Sequence, residues 1–373
     1  LEISRERFIE TIAKEKLAGE EARTELGNVK ILYSLANVAK KIEPKDFVQN
    51  FRNRLLEMKK VLQERKELEN LTSINKIGGD KQNLSVIGMV FDKRVTKNKN
   101  ILINLEDLNG RISVLVNKNK EELYKRAKET IIDDIIGVRG VGNNEIIFAN
   151  DIIYPDSLLP EKTFLDREES AAFTSDIHIG SRSFLAKNFE KFIEWINGRV
   201  GSEKQREEAL KVKYLFITGD TVDGVGIFPG QDELLEIKDI REQYERLAFY
   251  LKKIKKDIKI ILCPGQHDAV RVAEPQPFIG RDYGQALYEL DKLILVSNPA
   301  MIEICNNGKK GIKILMYHGA SMIHIINEVE SLRNAKAQFN PSKAAKHLLK
   351  IRHLAPMHSF VTYIPTENQD ELL

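Results

Sequence analysis

The fold is decided by Thr174-Ser175-Asp176-Ile177-His178-Ile179-Gly180. The apolar segment Ala171-Ala172-Phe173 precedes this stretch and predicts the end of a buried strand. Side chains two positions apart on a strand point the same way, so Asp176 and His178 are expected on one side. Gly180 then lets the backbone turn sharply. The pair fits a two-ligand clip for a divalent cation, and it also fits a solvated acid beside a structural histidine.

Three further predicted strands end in comparable polar clusters. The clusters are Gly219-Asp220-Thr221-Val222-Asp223 after Lys213–Ile217, Cys263-Pro264-Gly265-Gln266-His267-Asp268 after Ile258–Leu262, and Tyr317-His318-Gly319 after Gly311–Met316. Amphipathic helices are predicted between strands, from Phe184 to Val200 and from Leu234 to Lys256. The clusters are separated by roughly 45 to 50 residues, which is long enough for crossover connections. Because open α/β sheets place sites at the carboxyl ends of strands, the clusters predict one shared site.

The composition sets the class of protein. A chain of 373 residues exceeds what a single core usually holds, so two or three domains are expected. Charged residues make up 30% and the net charge is only +3, which does not by itself indicate nucleic acid. Two cysteines cannot build a disulfide framework, and no apolar run reaches the length of a membrane span. The sequence therefore predicts a cytoplasmic protein that does not enter the membrane.

Residues 1–72 are predicted to form an N-terminal helical region and linker. A helix start is expected at Pro44 because proline suits the first helical turn. Apolar residues recur at helical spacing in three stripes: Phe8, Ile9, Ile12 and Leu17; Val29, Ile31, Leu32, Leu35 and Val38; Phe47, Phe51, Leu55, Met58 and Leu62.

Residues 80–156 are predicted to form an OB-fold barrel. The predicted strands are Leu84–Val90, Ile101–Asp107, Arg111–Val116, Ile135–Val141 and Glu145–Ala149, with a helix from Glu121 to Ile132. Asn109-Gly110 is a strong hairpin signal between the second and third strands. The basic loop with Lys93 and Arg94 would suit single-stranded nucleic acid. We favour a structural or subunit-docking barrel, because the strands offer almost no aromatic residues on which bases could stack.

The ordered motifs D-x-H-x-G, G-D-x-x-D, G-x-H-D and H-G resemble those of calcineurin-like metallophosphoesterases. The resemblance covers residues 165–373 and implies a phosphoesterase β-sandwich with flanking helices. The fold class expected for the whole chain is therefore α/β, or α+β across several domains. In that family two divalent metal ions, about 3.5–4 Å apart, clamp a phosphate ester.

The resemblance implies a role for each motif residue. Asp176 and His178 would bind the first metal, Asp220 would bridge, and Gln266 and His318 would bind the second. The catalytic pair would be His267, which contacts the phosphate or protonates the leaving oxygen, and Asp268. Asp223 and Asp268 would orient their neighbours.

The sequence departs from the family pattern twice. Gln266 stands where the family usually has Asn, which keeps the carboxamide oxygen but moves it one methylene outward. The closing G-H-x-H is absent, so the C-terminal part of the phosphoesterase domain is expected to be missing beyond Leu373. The remaining histidines are not expected to replace it, and they are His324, His347, His353 and His358.

Two long loops match a narrower family, the small exonuclease subunit of archaeal D-family DNA polymerase. They are Gly219–Gln231 and Cys263–Pro277, and in that family an OB-fold precedes the phosphoesterase domain. The resemblance implies a 3′→5′ proofreading exonuclease, dependent on manganese or else magnesium, that acts on DNA 3′ ends. It implies a large catalytic subunit as partner, DNA polymerase activity of the complex, and contact with a sliding clamp through that complex.

Two alternatives remain open. Accessory subunits of eukaryotic replicases resemble this fold but have lost metal ligands, so a non-catalytic scaffold is the second interpretation. A free-standing metallophosphatase for small phosphate esters is the third. If DNA is the substrate, a basic face is expected, with candidates Arg182, Arg271, Lys93 and Arg94, and further Arg281, Arg333 and Lys336.

Overall fold

A computed structural model describes residues 25–35, 41–156, 164–165, 168–305, 311–356 and 362–365. They divide into two compact units. The first unit is built from residues of 1–39 and 162–318, and the second from residues of 40–161 and 319–373. The predicted stripe from Phe8 to Leu17, His358 and the end of the chain lie outside the described residues.

The described part of the chain forms thirteen strands and nine α-helices. The strands are β1 (Glu25–Leu26), β2 (Val29–Ser34), β3 (Gln82–Val95), β4 (Ile101–Glu106), β5 (Arg111–Val116), β6 (Ile135–Gly142), β7 (Ile146–Ile153), β8 (Ser170–Thr174), β9 (Val212–Thr218), β10 (Lys259–Cys263), β11 (Leu293–Leu295), β12 (Ala300–Ile304) and β13 (Ile312–Met316). The helices are α1 (Pro44–Gln63), α2 (Glu121–Glu129), α3 (Ala186–Ile196), α4 (Glu203–Lys211), α5 (Ile240–Lys252), α6 (Arg281–Tyr288), α7 (Met322–Glu328), α8 (Glu330–Asn334) and α9 (Ser342–Ile351).

Two four-stranded sheets form the first unit. One sheet is parallel, in the order β11-β10-β9-β8, and the other is antiparallel, in the order β1-β2-β12-β13. The strand that precedes His318 was expected beside the other cluster-bearing strands. It is β13 instead, in the antiparallel sheet, so the polar clusters come from both sheets.

β9 shows why the parallel strands are continuous apolar runs. Its side chains Tyr214 and Phe216 face a core shared with the antiparallel sheet, which includes Ile302 and Met316. The alternate side chain Leu215, like Ile217 after it, faces a second core that α3, α5 and α6 cover. Both faces of the parallel sheet are therefore buried at β9, as in α/β proteins, and the two sheets pack through one core. The edge strand β8 differs from the buried strand predicted before Asp176, because none of its residues is fully buried and Phe173 is 62% exposed.

The helical interpretation of the stripe that begins at Val29 is wrong. Val29–Ser34 forms β2, which pairs antiparallel with β12 and sets Ile31 opposite Ile302. Val29 and Ile31 face the shared core, and Leu32 next to Ile31 is 38% exposed. A short apolar run satisfies both the helical and the strand period, and pairing with β12 decides between them.

A closed barrel forms the centre of the second unit. The strand order around it is β3-β4-β5-β7-β6, with β5 and β7 parallel, and α2 connects β5 to β6. The predicted barrel of five strands is therefore confirmed, and Asn109-Gly110 lies between β4 and β5 as expected. α1 begins at Pro44 as predicted.

α1 packs on the outer surface of this barrel. Its buried side chains Leu55, Met58 and Leu62 share a cluster with Ile87 of β3 and Ile135 of β6. The predicted apolar stripe of α1 is thus the face that contacts the barrel. No helix of the described chain is long and apolar enough to cross a membrane.

Candidate metal centre

The loops after β8 and β9 are held together by main-chain hydrogen bonds. The amide of Asp176 donates to Gly219 O (3.1 Å), and that of His178 donates to Asp220 O (3.1 Å). In the opposite direction, the amide of Asp223 donates to Ile179 O (2.9 Å). These bonds bring the first two predicted clusters to one edge of the sheet.

The backbone is left-handed at three of the predicted ligands. The φ angles of Asp176, His178 and Asp220 are 53°, 52° and 49°. The sequence predicted that strand alternation would align Asp176 with His178, but β8 ends at Thr174 and both residues lie in the loop. Such φ values are uncommon outside glycine and gather at functional sites, where the surrounding structure maintains them.

Two overlapping groups of side chains lie close enough together to hold a metal ion. One ligand atom each of Asp176, His178 and Asp220 lie within 4.8 Å of one another. The same holds for His178, Asp223 and His267. His318 joins from the end of β13, with its Nε2 3.4 Å from Asp220 Oδ2. The structure therefore brings together six of the predicted site residues from four loops.

Three histidines in this centre have the same orientation. Nδ1 of His178 lies 3.0 Å from Asp223 Oδ1, Nδ1 of His267 lies 2.8 Å from Asp223 O, and Nδ1 of His318 lies 3.0 Å from Thr218 O. Carbonyl and carboxylate oxygens only accept, so each Nδ1 carries the hydrogen. In each ring Nε2 is therefore the nitrogen that can bind a metal ion or a substrate. Protein metal sites fix their histidine ligands in this way.

Asp220 lies at the middle of the cluster and is 2% exposed. Burial would raise its pKa, but the hydrogen bond with His318 and the one from the His267 amide hold the pKa below its usual range. Burial would also lower the pKa of His318, and the Asp220 carboxylate outweighs that effect and raises the pKa to about 9. Asp220 is therefore ionised at neutral pH.

Asp268, predicted as the catalytic partner of His267 and as a group that orients its neighbours, is buried among hydrogen-bond donors of the β9 and β10 loops. It is 3% exposed, and its carboxylate accepts from the Thr221 amide (3.2 Å), the Gly265 amide (2.8 Å) and the Tyr244 hydroxyl (3.2 Å). The Thr221 hydroxyl also donates to it. Burial raises the pKa of Asp268, and these donors oppose that rise. Asp268 thus fastens the β9 and β10 loops together from beneath the site.

Gln266 carries a polar atom that lacks a partner. Its Oε1 is buried and accepts no hydrogen bond within the described residues. A buried carbonyl oxygen of this kind is costly unless something else satisfies it. Carboxylate and carbonyl oxygens suit magnesium and manganese, and imidazole nitrogens are common metal ligands. The donor set, with this orphaned oxygen, fits a divalent cation.

Two glycines allow the close approach of these groups. A Cβ on Gly265 would meet the Asp220 carboxylate, and a Cβ on Gly219 would meet the His318 ring. Gly219 also has a φ of +81°, which side chains rarely adopt. Both glycines are therefore needed for Asp220 to lie beside His318.

Buried amide side chains support the site, and sequence reasoning did not identify them. Gln231 donates from Nε2 to Asp223 O (2.8 Å), and Gln243 binds Gly224 through both its amide and its carbonyl. A second pair acts on the other side: Asn298 accepts from the His318 amide and donates to Gln276. Nothing in their spacing distinguishes these residues from surface amides, so only the fold identifies them.

Some of the basic residues predicted to contact DNA are exposed, and others are held by hydrogen bonds within the chain. Arg182 and Arg94 are exposed. Arg271 donates to Pro275 O, and Lys93 donates to the carbonyls of Ala127, Lys128 and Thr130 at the end of α2. The Lys93 ammonium therefore caps a helix and is not a free surface charge. Of the remaining candidates, Arg281 lies over the Tyr288 ring and Arg333 donates to Asn327 O.

Comparison with known proteins gives concordant results. A family model for the B subunits of DNA polymerases alpha and epsilon matches residues 171–373. DNA polymerase II small subunits from three archaea are similar over most of the chain. The protein of Methanothermobacter thermautotrophicus is 38% identical over 328 residues, covering 88% of this chain and 66% of that protein. Those of Pyrococcus furiosus and Archaeoglobus fulgidus are 37% and 38% identical, covering 87% and 88% of this chain and 52% and 64% of theirs.

Two conclusions follow from these matches. They confirm the predicted resemblance to the small subunit of archaeal D-family DNA polymerase. They also show that the chain spans between about half and two thirds of the length of these relatives, at 52% to 66%.

Proposed function

This chain belongs to the family of B subunits of DNA polymerases alpha and epsilon, and we propose that it serves as the small subunit of an archaeal DNA polymerase. In that role it binds a large catalytic subunit and hydrolyses phosphodiesters at DNA 3′ ends. The similarity to the archaeal small subunits supports the first part of the proposal. The geometry of the metal centre supports the second.

The observation that carries the hydrolytic function is the common orientation of three histidines around one ionised carboxylate. His178, His267 and His318 each donate from Nδ1 to an oxygen, and Nε2 of His178 and of His318 lies 3.8 Å and 3.4 Å from Asp220 Oδ2. Metal-ligating histidines are oriented in this way, with one ring nitrogen bound to an oxygen and the other directed at the ion. The shared orientation of the rings therefore supports cation binding.

We assign two divalent cations, manganese or magnesium, to this centre. Asp176 and His178 would hold one, Gln266 and His318 the other, and Asp220 would contact both. Bound there, the cations would supply charge stabilisation to a phosphodiester in the transition state. The two-sheet arrangement of the first unit supports a calcineurin-like phosphoesterase fold for this half of the chain.

Three residues of the chain would orient the histidines and supply the proton for the reaction. Asp223 fixes the rings of His178 and His267, because its carboxylate and its carbonyl each accept one Nδ1 hydrogen. With its Nδ1 hydrogen bound to Asp223 O, the imidazolium form of His267 would carry its second proton on Nε2 and could give it to the leaving 3′ oxygen, which is general acid catalysis. Asp268 positions His267 indirectly by holding the β10 loop against β9.

The test is digestion of a 3′-labelled single-stranded DNA in the presence of Mn²⁺. Asp176→Ala and His267→Ala are expected to lose hydrolysis, because one removes a cation ligand and the other the proton donor. Asp232→Ala and His324→Ala, of the same residue types outside the centre, serve as matched controls and keep wild-type rates. Undiminished digestion by the first two variants contradicts the proposal.

A non-catalytic scaffold is the second candidate, and the contact between Asp220 and His318 favours it. At 3.4 Å these two groups already stabilise each other electrostatically, so the loops could hold together without a cation. Metal analysis of the protein after incubation with Mn²⁺ and desalting separates the candidates. Stoichiometric manganese supports the hydrolase, and a metal-free protein supports the scaffold.

A further inference from the structure

A cavity of about 660 Å³ opens beside the metal centre. Its lining includes Asp176, His178 and Asp223 of that centre. It also includes three phenylalanines of the segment that leads into α3 and of α3 itself, namely Phe184, Phe189 and Phe192. The cavity thus joins a candidate phosphate-handling site to an apolar, aromatic wall. We call it the aromatic cavity.

We propose that the aromatic cavity holds the 3′-terminal nucleobase of a single DNA strand while the adjoining phosphodiester lies at the metal centre. This inference rests on the proposed function and gives that site its substrate recognition. The base lies on the phenylalanine rings, and its edge meets the polar groups at the rim. The cavity therefore selects a strand end that carries a base over one that lacks it.

The aromatic wall is held in place before any ligand arrives. The rings of Phe189 and Phe192 are close to parallel, with centroids 6.1 Å apart and planes at 19°. Phe184 meets Phe189 edge-on at 5.9 Å, and Tyr250 of α5 contacts both Phe184 and Phe189, at 5.8 and 5.4 Å. All three phenylalanines pack against the helix-covered core yet keep part of their surface open to the cavity. Preorganised aromatic faces of this kind stack on any base, because every base has a π-face.

Outside the metal centre, the polar part of the lining is neutral. Ser181, Ser183 and Asn188 contribute hydroxyl and carboxamide groups, and no lysine or arginine is among the described residues that line the cavity. The charges that do line it are those of the metal centre. A ligand that is uncharged at one end and anionic at the other fits this distribution, with its anion turned towards the cations. A nucleotide has that form.

The cavity also bears on what was expected of the barrel. The barrel strands carry two aromatic residues: Phe91, with the Arg111 guanidinium over its ring, and Phe148, which is 43% exposed with the Lys81 ammonium over its ring. In the first unit, aromatic side chains are instead concentrated next to the residues proposed to act on the phosphodiester. Base recognition is thereby placed at the reacting end of the strand.

The chain offers an internal reporter for testing this. Trp195 is its only tryptophan, and its ring centroid lies 6.0 Å from that of Phe192. Titration of the chain with dAMP, with or without Mn²⁺, is expected to change tryptophan fluorescence to saturation. Deoxyribose 5-phosphate, which lacks the base, is expected to bind about tenfold more weakly. Equal affinity for the two ligands overturns the proposal.

Substitutions in the cavity lining test whether dAMP binds in the aromatic cavity. Phe189→Leu is expected to weaken dAMP about tenfold and to leave the affinity for Mn²⁺ unchanged. Phe249→Leu is the matched control, because Phe249 is 54% exposed, contacts Tyr250 and does not line the cavity. Leu185→Glu is a second variant that spares the core, since Leu185 is 67% exposed in the cavity lining next to Phe184 and a carboxylate there disfavours an apolar base on the phenylalanine rings. Wild-type dAMP affinity in both Phe189→Leu and Leu185→Glu contradicts the inference.

Failure of the inference can be told apart from failure of the proposed function. If dAMP binds through its base but no DNA is hydrolysed, the cavity is a nucleotide site and the hydrolase proposal fails. If normal and abasic 3′ ends are digested at equal rates, the hydrolase stands and the base-binding role of the cavity fails.

Discussion

The two units each contain a cluster of buried charged groups. The clusters differ in the groups that surround the charges, which are mainly main-chain carbonyls in the second unit and histidine rings in the first. In the second unit the cluster consists of Arg54, Lys93 and Asp134, which we call the barrel cluster. Lys93 caps α2, and Arg54, fully buried, donates to the carbonyls of Ile351 and Arg352 at the end of α9. In the metal centre, by contrast, imidazole Nε2 atoms face a carboxylate. Burial of charge therefore does not identify a site, whereas imidazole and carboxylate groups that converge on one point do.

The two central carboxylates show the same contrast in their acidity. Asp134 is buried, and that burial raises its pKa to about 7 despite a hydrogen bond from the Ile131 amide. Asp220 is also buried, but its hydrogen bonds to His318 and the His267 amide hold its pKa below the usual range. Asp134 accommodates a proton near neutral pH. Asp220 keeps its charge and can accept a cation.

Arg54→Met is expected to cause the largest loss of stability. It removes the donor to two buried carbonyls and a positive charge near Asp134, so the free energy of unfolding should fall by about 3 kcal/mol. Urea unfolding followed by circular dichroism measures the loss. Arg52→Met, at an exposed position of the same helix, is the control and should stay within about 0.5 kcal/mol of wild type. Equal stability of the two variants contradicts the structural role assigned to the barrel cluster.

Asp134→Asn sharpens the comparison of acidity. Because the folded-state pKa of Asp134 is about 7 and its ordinary value is 3.8, the native state holds the proton more tightly than the unfolded state. The stability contribution is thus complete below about pH 4 and is lost as the pH rises to about 7. At pH 8 the Asn variant should be more stable than wild type by about 4 kcal/mol, with little difference at pH 4.

Urea midpoints at several pH values test this expectation. Asp80→Asn removes one negative charge at an exposed position and should follow the wild-type pH profile. An Asp134→Asn profile that coincides with wild type at every pH contradicts the assignment of this carboxyl.

Thr221→Val in the metal centre and Thr130→Val in the second unit are the smallest changes that distinguish a metal site from ordinary buried polar groups. Each removes a buried hydroxyl, from Asp268 in one case and from Tyr154 in the other, and each should cost about 1 kcal/mol of stability. Only Thr221→Val should weaken Mn²⁺ binding, by about tenfold, because Asp268 fastens the loops that carry Asp220 and His267. Equal metal affinity in the two variants would mean that Asp268 does not position the centre.

Much of the arrangement can be predicted from local sequence. The strand-end motifs are short polar segments after apolar runs, so Asp176, Asp220 and His267 are visible without any structure. The barrel follows from alternating strands and the Asn109-Gly110 turn. These features depend on period and turn chemistry, which neighbouring residues determine.

Other features depend on contacts between distant segments. Val29–Ser34 is a strand because β12 pairs with it, and His318 reaches the centre from the antiparallel sheet. Lys93 is not the free DNA-contacting cation that the sequence predicted, because its ammonium donates to three carbonyls at the end of α2. Such pairings leave no local signal in the sequence, since they are fixed by tertiary packing.

Calorimetric titration of Mn²⁺ into this chain tests the central claim most directly. Saturable binding is expected, and Asp220→Asn should weaken it by at least about a hundredfold, since the substitution removes the shared carboxylate. Asp134→Asn, which changes the other buried carboxylate, should bind Mn²⁺ as wild type does. Absence of binding in the wild-type chain, or the same affinity in both variants, would contradict the claim that the strand-end cluster is a metal centre.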